Sequence, residues 1–294
     1  MIRHSRSQSE IPMGLINSIL NLAGLLLWVG WRDLVANSLL KTAVPTPLVR
    51  TLRRAGPLGW RRWRYLGALV VLLGLRAMIY RWLGPSVNSW TPHLRLGPVV
   101  TIPFRSESLQ QMAVFSLLSF GVTLGIFYLV LLLLSLVNRS LPDSEYLQKL
   151  IRVQLGLLER LPWLLKLLLP FLATLGLWLA LNPLFIHWEL IPSGHSLGVK
   201  TEQGLLIGLG FCLPLEYLVV AVLLLHFLNS YIYFGNNPFW NFINQTARRL
   251  LSPLRRRWLP LQVGRMDLAP LLGLILVFLL GEIIRIALPR LFPA

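Results

Sequence analysis

The stretch "NNPFWNFINQTARRLLSPLRRRWLP", residues 236–260, holds aromatics, three prolines, five arginines (Arg248, Arg249, Arg255, Arg256 and Arg257) and no acid. Alone it would suit a nucleic-acid arm, a catalytic loop or a helix lying on a membrane. Its flanks decide. Apolar runs at 205–228 and 268–288 border it. Each is long enough, at about 1.5 Å of rise per helical residue, to cross about 30 Å of hydrocarbon. Further out lie four more such runs, at 12–31, 65–83, 112–137 and 162–181. Backbone groups in lipid must bond within their own segment, so each run is expected to be a helix. The first is the weakest, because Asn17, Asn21 and Gly24 interrupt it. The expected fold is an all-α membrane protein with about six transmembrane helices.

Composition agrees. Of 294 residues, 55% are hydrophobic and only 13% charged, where a soluble domain carries about 25% charged residues. Twenty-eight Lys and Arg against eleven Asp and Glu give a net charge of +17. In a soluble domain that excess would point to nucleic acid. Here it alternates along the chain. Residues 32–64 carry eight Lys/Arg and one acid, residues 138–161 four and three, and residues 229–267 six and one. The intervening connections, 84–111 and 182–204, hold two Lys/Arg and one. The positive-inside rule puts the basic connections in the cytoplasm and both termini outside. Arg3 and Arg6 argue weakly the other way. The N-terminal MIRHSRSQSE resembles a signal peptide, but run 12–31 is long for one and no A-x-A-like site follows. A retained span is therefore expected.

The chain then reads as three helical hairpins, 1–83, 84–181 and 182–294, each with a long basic connection. Each connection starts near a proline and contains an amphipathic segment: 44–67, 141–165 and the opening stretch. In 238–251, Pro238 suits a first helical turn. Phe239, Trp240, Phe242, Ile243, Leu250 and Leu251 form one face at helical spacing, and Asn241, Asn244, Gln245, Arg248 and Arg249 fall largely on the other. Such a helix suits the headgroup plane, with Trp240, Arg248, Arg249 and Arg257 touching lipid. A second amphipathic helix is expected over 144–161; it is nearly charge-balanced and suits protein contact as well as lipid. Short tethers to two spans leave little reach for nucleic acid.

Residues 223–280 carry a family signature. Asn237-Pro238-Phe239 follows the fifth run, then come Thr246, Pro253-Leu254-Arg255-Arg256, Leu259-Pro260 and Asp267-Leu268-Ala269-Pro270. This order resembles the YggT family (YlmG-like) of small membrane proteins. The departures are His226 in place of a late-helix arginine, Thr246-Ala247-Arg248 in place of Thr-Glu-Pro, and Ala269 in place of serine. The first hairpin looks like a degraded copy of the same unit, and the middle one is more distant. The resemblance implies a multi-pass protein of the bacterial inner membrane. It further implies a role of the kind linked to relatives: cell division and nucleoid distribution, cytochrome assembly in chloroplasts, or osmotic stress. Partners would be the bilayer, its anionic headgroups and other membrane proteins.

Charges inside spans are costly unless paired or hydrated. Arg76 and Glu216 lie near mid-membrane by residue count, and Glu282 and Arg285 lie one turn apart in the sixth run. The expected pairs are Arg76 with Glu216 and, at i, i+3 spacing, Glu282 with Arg285. Asp267 and Pro270 read as a helix start, His226 as an interfacial hydrogen-bonder, and Cys212 as packing. His93, His187 and His195 show no ligand spacing. No P-loop, G-x-S-x-G, H-E-x-x-H or dinucleotide fingerprint occurs, and "PSGHSLG" at 192–198 places no acid beside its serines and histidine. No enzyme activity, metal or cofactor is expected. Two functions remain: a scaffold or assembly factor with basic loops on anionic lipid, or a small ion or solute transporter or channel using Arg76 and Glu216.

Overall fold

The computed structural model describes residues 6–42, 58–86, 91–97, 100–139, 146–191, 196–232, 237–257, 262–263 and 266–291. In chain order the elements are α1 (Arg6–Thr42), α2 (Leu58–Ser86), β1 (His93–Leu96), β2 (Val100–Pro103), α3 (Leu109–Val137), α4 (Tyr146–Leu155), α5 (Trp163–His187), α6 (Leu197–Cys212), α7 (Pro214–Tyr231), α8 (Pro238–Leu250), α9 (Ser252–Arg257), β3 (Gln262–Val263), β4 (Met266–Asp267) and α10 (Ala269–Leu291). Six stretches are helical, long and apolar enough to cross a membrane: Met13–Asp33, Trp63–Gly84, Leu109–Val137, Trp163–His187, Leu197–Ser230 and Ala269–Ala287. The protein is a multi-pass, all-α membrane protein.

Two compact units divide the chain, residues 1–94 with 102–125, and residues 95–101 with 126–294. In the first, α1 packs along α2. Gly24 admits the Phe120 ring, which would lie 2.9 Å from any Cβ placed there. Phe115 then packs against Tyr80 and Phe104, with ring centroids 5.8 Å and 5.4 Å away and the rings tilted rather than stacked. In the second unit α5 pairs with α6, and α7 pairs with α10. Gly204 and Gly208 let α6 approach α5 closely. A Cβ at Gly204 would stand 2.7 Å from Leu175 Cδ1, and one at Gly208 2.7 Å from Thr174 Oγ1. Small residues four apart serve this purpose in lipid, where van der Waals contact drives helix association.

Three features depart from the sequence expectations. The fifth span is longer than 205–228 and is broken: α6 ends at Cys212, and Pro214 opens α7 as its first residue. The missing proline N–H ends one helix and suits the start of the next. The expected helix 144–161 is shorter. Its α4 part stops at Leu155, Gly156 takes φ +56°, and a 3-10 turn runs from Gly156 to Arg160. A left-handed glycine is the usual helix terminator. Ser144 and Glu145 lie outside the described residues. So do residues 43–57 of the first expected connecting segment, and its remainder from Leu58 is the opening of α2.

Two cores organise the second unit. Leu131 and Leu132 of α3, Ile151 and Leu155 of α4 and Phe242 of α8 bury one another. Val222 and Leu223 of α7, Ile243 and Ala247 of α8, Leu251 and Ala269 form the other.

Candidate functional site

Polar groups buried among apolar helices mark the places where this fold does something other than pack. In the first unit they centre on Arg76, which is fully buried. Its Nε donates to Tyr80 Oη at 3.2 Å and its Nη1 to Asn21 Oδ1 at 2.7 Å. Its Nη2 donates to Ser119 Oγ at 2.8 Å and also to Asn17 Oδ1. Four of the five guanidinium N–H groups are thus used, all on neutral acceptors. Tyr80 Oη donates to Asn17 Oδ1 at 3.0 Å, and Asn21 Nδ2 to Ser119 Oγ at 3.1 Å. The network ties α1, α2 and α3 through one cation. The asparagines that made the first span look weak are the residues that solvate this charge.

In the second unit Arg285 lies between two carboxylates. Its Nη2 is 2.8 Å from Glu216 Oε2 and its Nη1 2.8 Å from Glu282 Oε1. Nη2 also donates to Tyr217 Oη at 3.2 Å. Glu216 sits in the first turn of α7, where the helix dipole favours a negative charge. Its carboxylate occupies the notch left by Gly281, and a Cβ there would collide with it. Arg76 and Glu216, expected as partners, are therefore each engaged inside their own unit. The physical reason is local: Pro214 starts a new helix that delivers Glu216 to α10, and α1 supplies Arg76 with neutral acceptors. Arg285 does lie one turn from Glu282 and is shared with Glu216.

A third cluster joins α3 to α5. Lys166, only 7% exposed, donates from Nζ to Ser135 Oγ at 2.9 Å and lies 3.1 Å from Glu159 Oε2. The Ser135 hydroxyl donates to the same Glu159 oxygen. Arg152 Nε stands 3.8 Å from Glu159 Oε1. Sequence reading passed over Lys166, although a lysine four residues into an apolar run was a signal for a partner.

The segment that opened the sequence reading is held by its own polar residues. Asn237 precedes α8 without making a side-chain cap, and Pro238 takes the first helical position. Thr246, 1% exposed, donates its hydroxyl to Phe242 O at 2.8 Å and accepts from Asn138 Nδ2 at 2.9 Å. Gln148 Nε2 donates to Asn138 O at 3.4 Å. His226 Nδ1 lies 2.8 Å from Asn244 Oδ1. Arg249 Nη1 donates to Val137 O at 3.3 Å, where a cation suits the end of α3. The face expected to lie in lipid is divided: Phe242, Ile243 and Leu251 are buried in protein, and Phe239 is exposed. Trp240 is half-buried, with its ring centroid 5.3 Å from that of Phe239. Arg248 faces outward.

Pro253 is exposed in α9, and Pro270 is buried in the first turn of α10. The backbone of α9 carries Arg255, Arg256 and Arg257, whose side chains lie outside the described residues. Pro260 also lies outside them. Asp267 is paired through the backbone with Gln262 in the β3–β4 ladder, and its side chain is outside the described set. Leu268, not Asp267, supplies the carbonyl that accepts from Leu272 N at the start of α10. Among the described residues no group of three His, Cys, Asp or Glu side chains could hold a metal ion.

Residues 207–288 match the protein family described as CCB3/YggT. No curated protein and no solved structure matches the chain.

Proposed function

We propose, from the match of residues 207–288 to the CCB3/YggT family, that this chain is a non-enzymatic scaffold or assembly factor of the bacterial inner membrane. Its basic connections face the cytoplasm, both termini face out, and α8 with α9 forms a basic ledge on anionic headgroups that receives other membrane proteins. One observation carries this reading. The buried side of α8 is fixed to α3 and α7 by Asn138–Thr246, His226–Asn244 and Arg249–Val137, while Arg248 is left outward. A rigid helix with an outward cation is a platform and needs no substrate pocket. Crosslinking from native membranes tests it. Partner membrane proteins should crosslink at positions 239–249 in the intact chain and be lost when Thr246→Val loosens α8. A crosslinking pattern unchanged from a control span would count against the scaffold.

The Glu216–Arg285–Glu282 cluster favours a second reading, a small transporter, since three charged groups at a break in an apolar segment are a feature of ion and solute paths. Solute flux in proteoliposomes that disappears in Glu216→Gln would select it over the scaffold.

A further inference from the structure

Between α7, α8, α9 and α10 lies a groove of about 350 Å³ whose nine lining residues are all apolar. Val219 and Leu223 line it from α7, Leu254 from α9, and Gly273, Leu276 and Val277 from α10. We infer that this groove binds one acyl chain of an anionic phospholipid. The inference rests on the reading of α8 and α9 as the ledge at anionic headgroups, and it adds a defined lipid site to that surface.

The lining has no side-chain donor or acceptor, so ordered water, which needs two to four polar partners, is a poor occupant. Among the described residues none fills the space. At Gly273 a Cβ would already be 2.7 Å from Leu251 Cδ2 and 3.3 Å from Leu223 Cδ1, so the floor is close-packed and the opening is left to a guest. Depth suits a hydrocarbon chain. Gly273 and Val277 follow Ala269 by four and eight residues, about 6 and 12 Å along the helix. That is inside the apolar layer, below the basic segment.

Charge supplies the specificity. Pro253 and Leu254 form part of the wall, and the same short helix continues directly into Arg255, Arg256 and Arg257. Arg248 is exposed on the adjoining α8. Five arginines and no acid lie within residues 248–257, so the segment that adjoins the groove is basic. Each such cation favours an anionic surface. A volume of about 350 Å³ suits a single flexible chain better than a partner helix about 10 Å across.

The test uses the full-length protein purified in detergent with equal phosphatidylglycerol and phosphatidylcholine of identical acyl chains. Native mass spectrometry counts the retained lipids, and phosphatidylglycerol with a diazirine in its acyl chain reports where they sit. The wild type should retain one lipid, several-fold more often phosphatidylglycerol, with label concentrated on α7 and α10 peptides containing Val219 and Val277. Val277→Phe, or Val219→Phe from the opposite wall, should lose the retained lipid and that label. Replacing Arg255, Arg256 and Arg257 together with Gln should keep a lipid but abolish the headgroup preference. Label spread evenly over the lipid-facing helices of the wild type overturns the groove site, whether or not the Phe variants fold. Even label together with a preserved phosphatidylglycerol preference leaves the basic-ledge reading standing. Absence of any preference removes both.

Discussion

A fully buried arginine in a membrane-spanning segment needs its charge dispersed, and Arg76 achieves this on Asn17, Asn21, Ser119 and Tyr80 without a carboxylate. Intramembrane hydrogen bonds average about 0.6 kcal/mol each. Losing four should cost about 2 kcal/mol, so Arg76→Leu should lower unfolding stability in detergent by about that amount. Arg76→Lys should recover only part of it, because an ammonium cannot match the planar fork. Glu216 belongs to a separate network, centred on Arg285. The double replacement Arg76→Leu with Glu216→Gln should therefore be additive within about 0.5 kcal/mol. A coupling energy above about 1 kcal/mol in that cycle would contradict the assignment of partners. Sequence reading singled out Arg76, Glu216, Glu282 and Arg285 but paired Arg76 with Glu216, and it passed over Lys166. A charge is visible in sequence, whereas an acceptor such as Asn17 looks like a defect until the helix opposite is known.

Helices α4, α6 and α8 show what spacing reveals and what it hides. The apolar period located α8, and Pro238 fixed its start within a residue. It could not tell lipid from protein as the apolar partner, because both attract the same side chains. Thr246→Val should leave α8 helical but free Asn138 Nδ2. The expected loss is about 1 kcal/mol, with faster amide exchange along 239–249. Gly156→Ala should cost about 1 kcal/mol, since φ +56° strains any residue with a Cβ. Gly208→Leu should cost more, about 1–3 kcal/mol from overpacking, because α6 lies against Phe171 and Thr174. Thermal unfolding in detergent, read against wild type, ranks the last two. The reverse order would mean that α6 and α5 are not packed through their glycines.

For the molecule as a whole, the alternation of basic and apolar segments set the number of spans. All six observed spans overlap the runs read from hydropathy, with shifts at their ends. The proposed orientation has a direct test, because Cys212 is the chain's only cysteine. In a Cys212→Ser background, single cysteines at Arg95 and Lys200 should react with an impermeant maleimide in intact cells. Cysteines at Arg139 and Arg248 should react only after lysis. The opposite pattern would invert the topology and move the basic ledge to the other leaflet.

By itself, then, the sequence determined the class of solvent, the helical architecture, the distribution of charge and the family signature over residues 237–270. These follow from local periodicity and composition, which lipid enforces because unpaired backbone cannot exist in it. Only the tertiary structure decided that Asn17 and Asn21 serve Arg76, that Glu216 and Glu282 share Arg285, that Lys166 meets Glu159 and Ser135, and that α8 turns Phe242 and Ile243 into protein. Each of these joins residues on different helices. Which faces meet depends on glycine notches and proline breaks acting together across the fold, and no single segment encodes that.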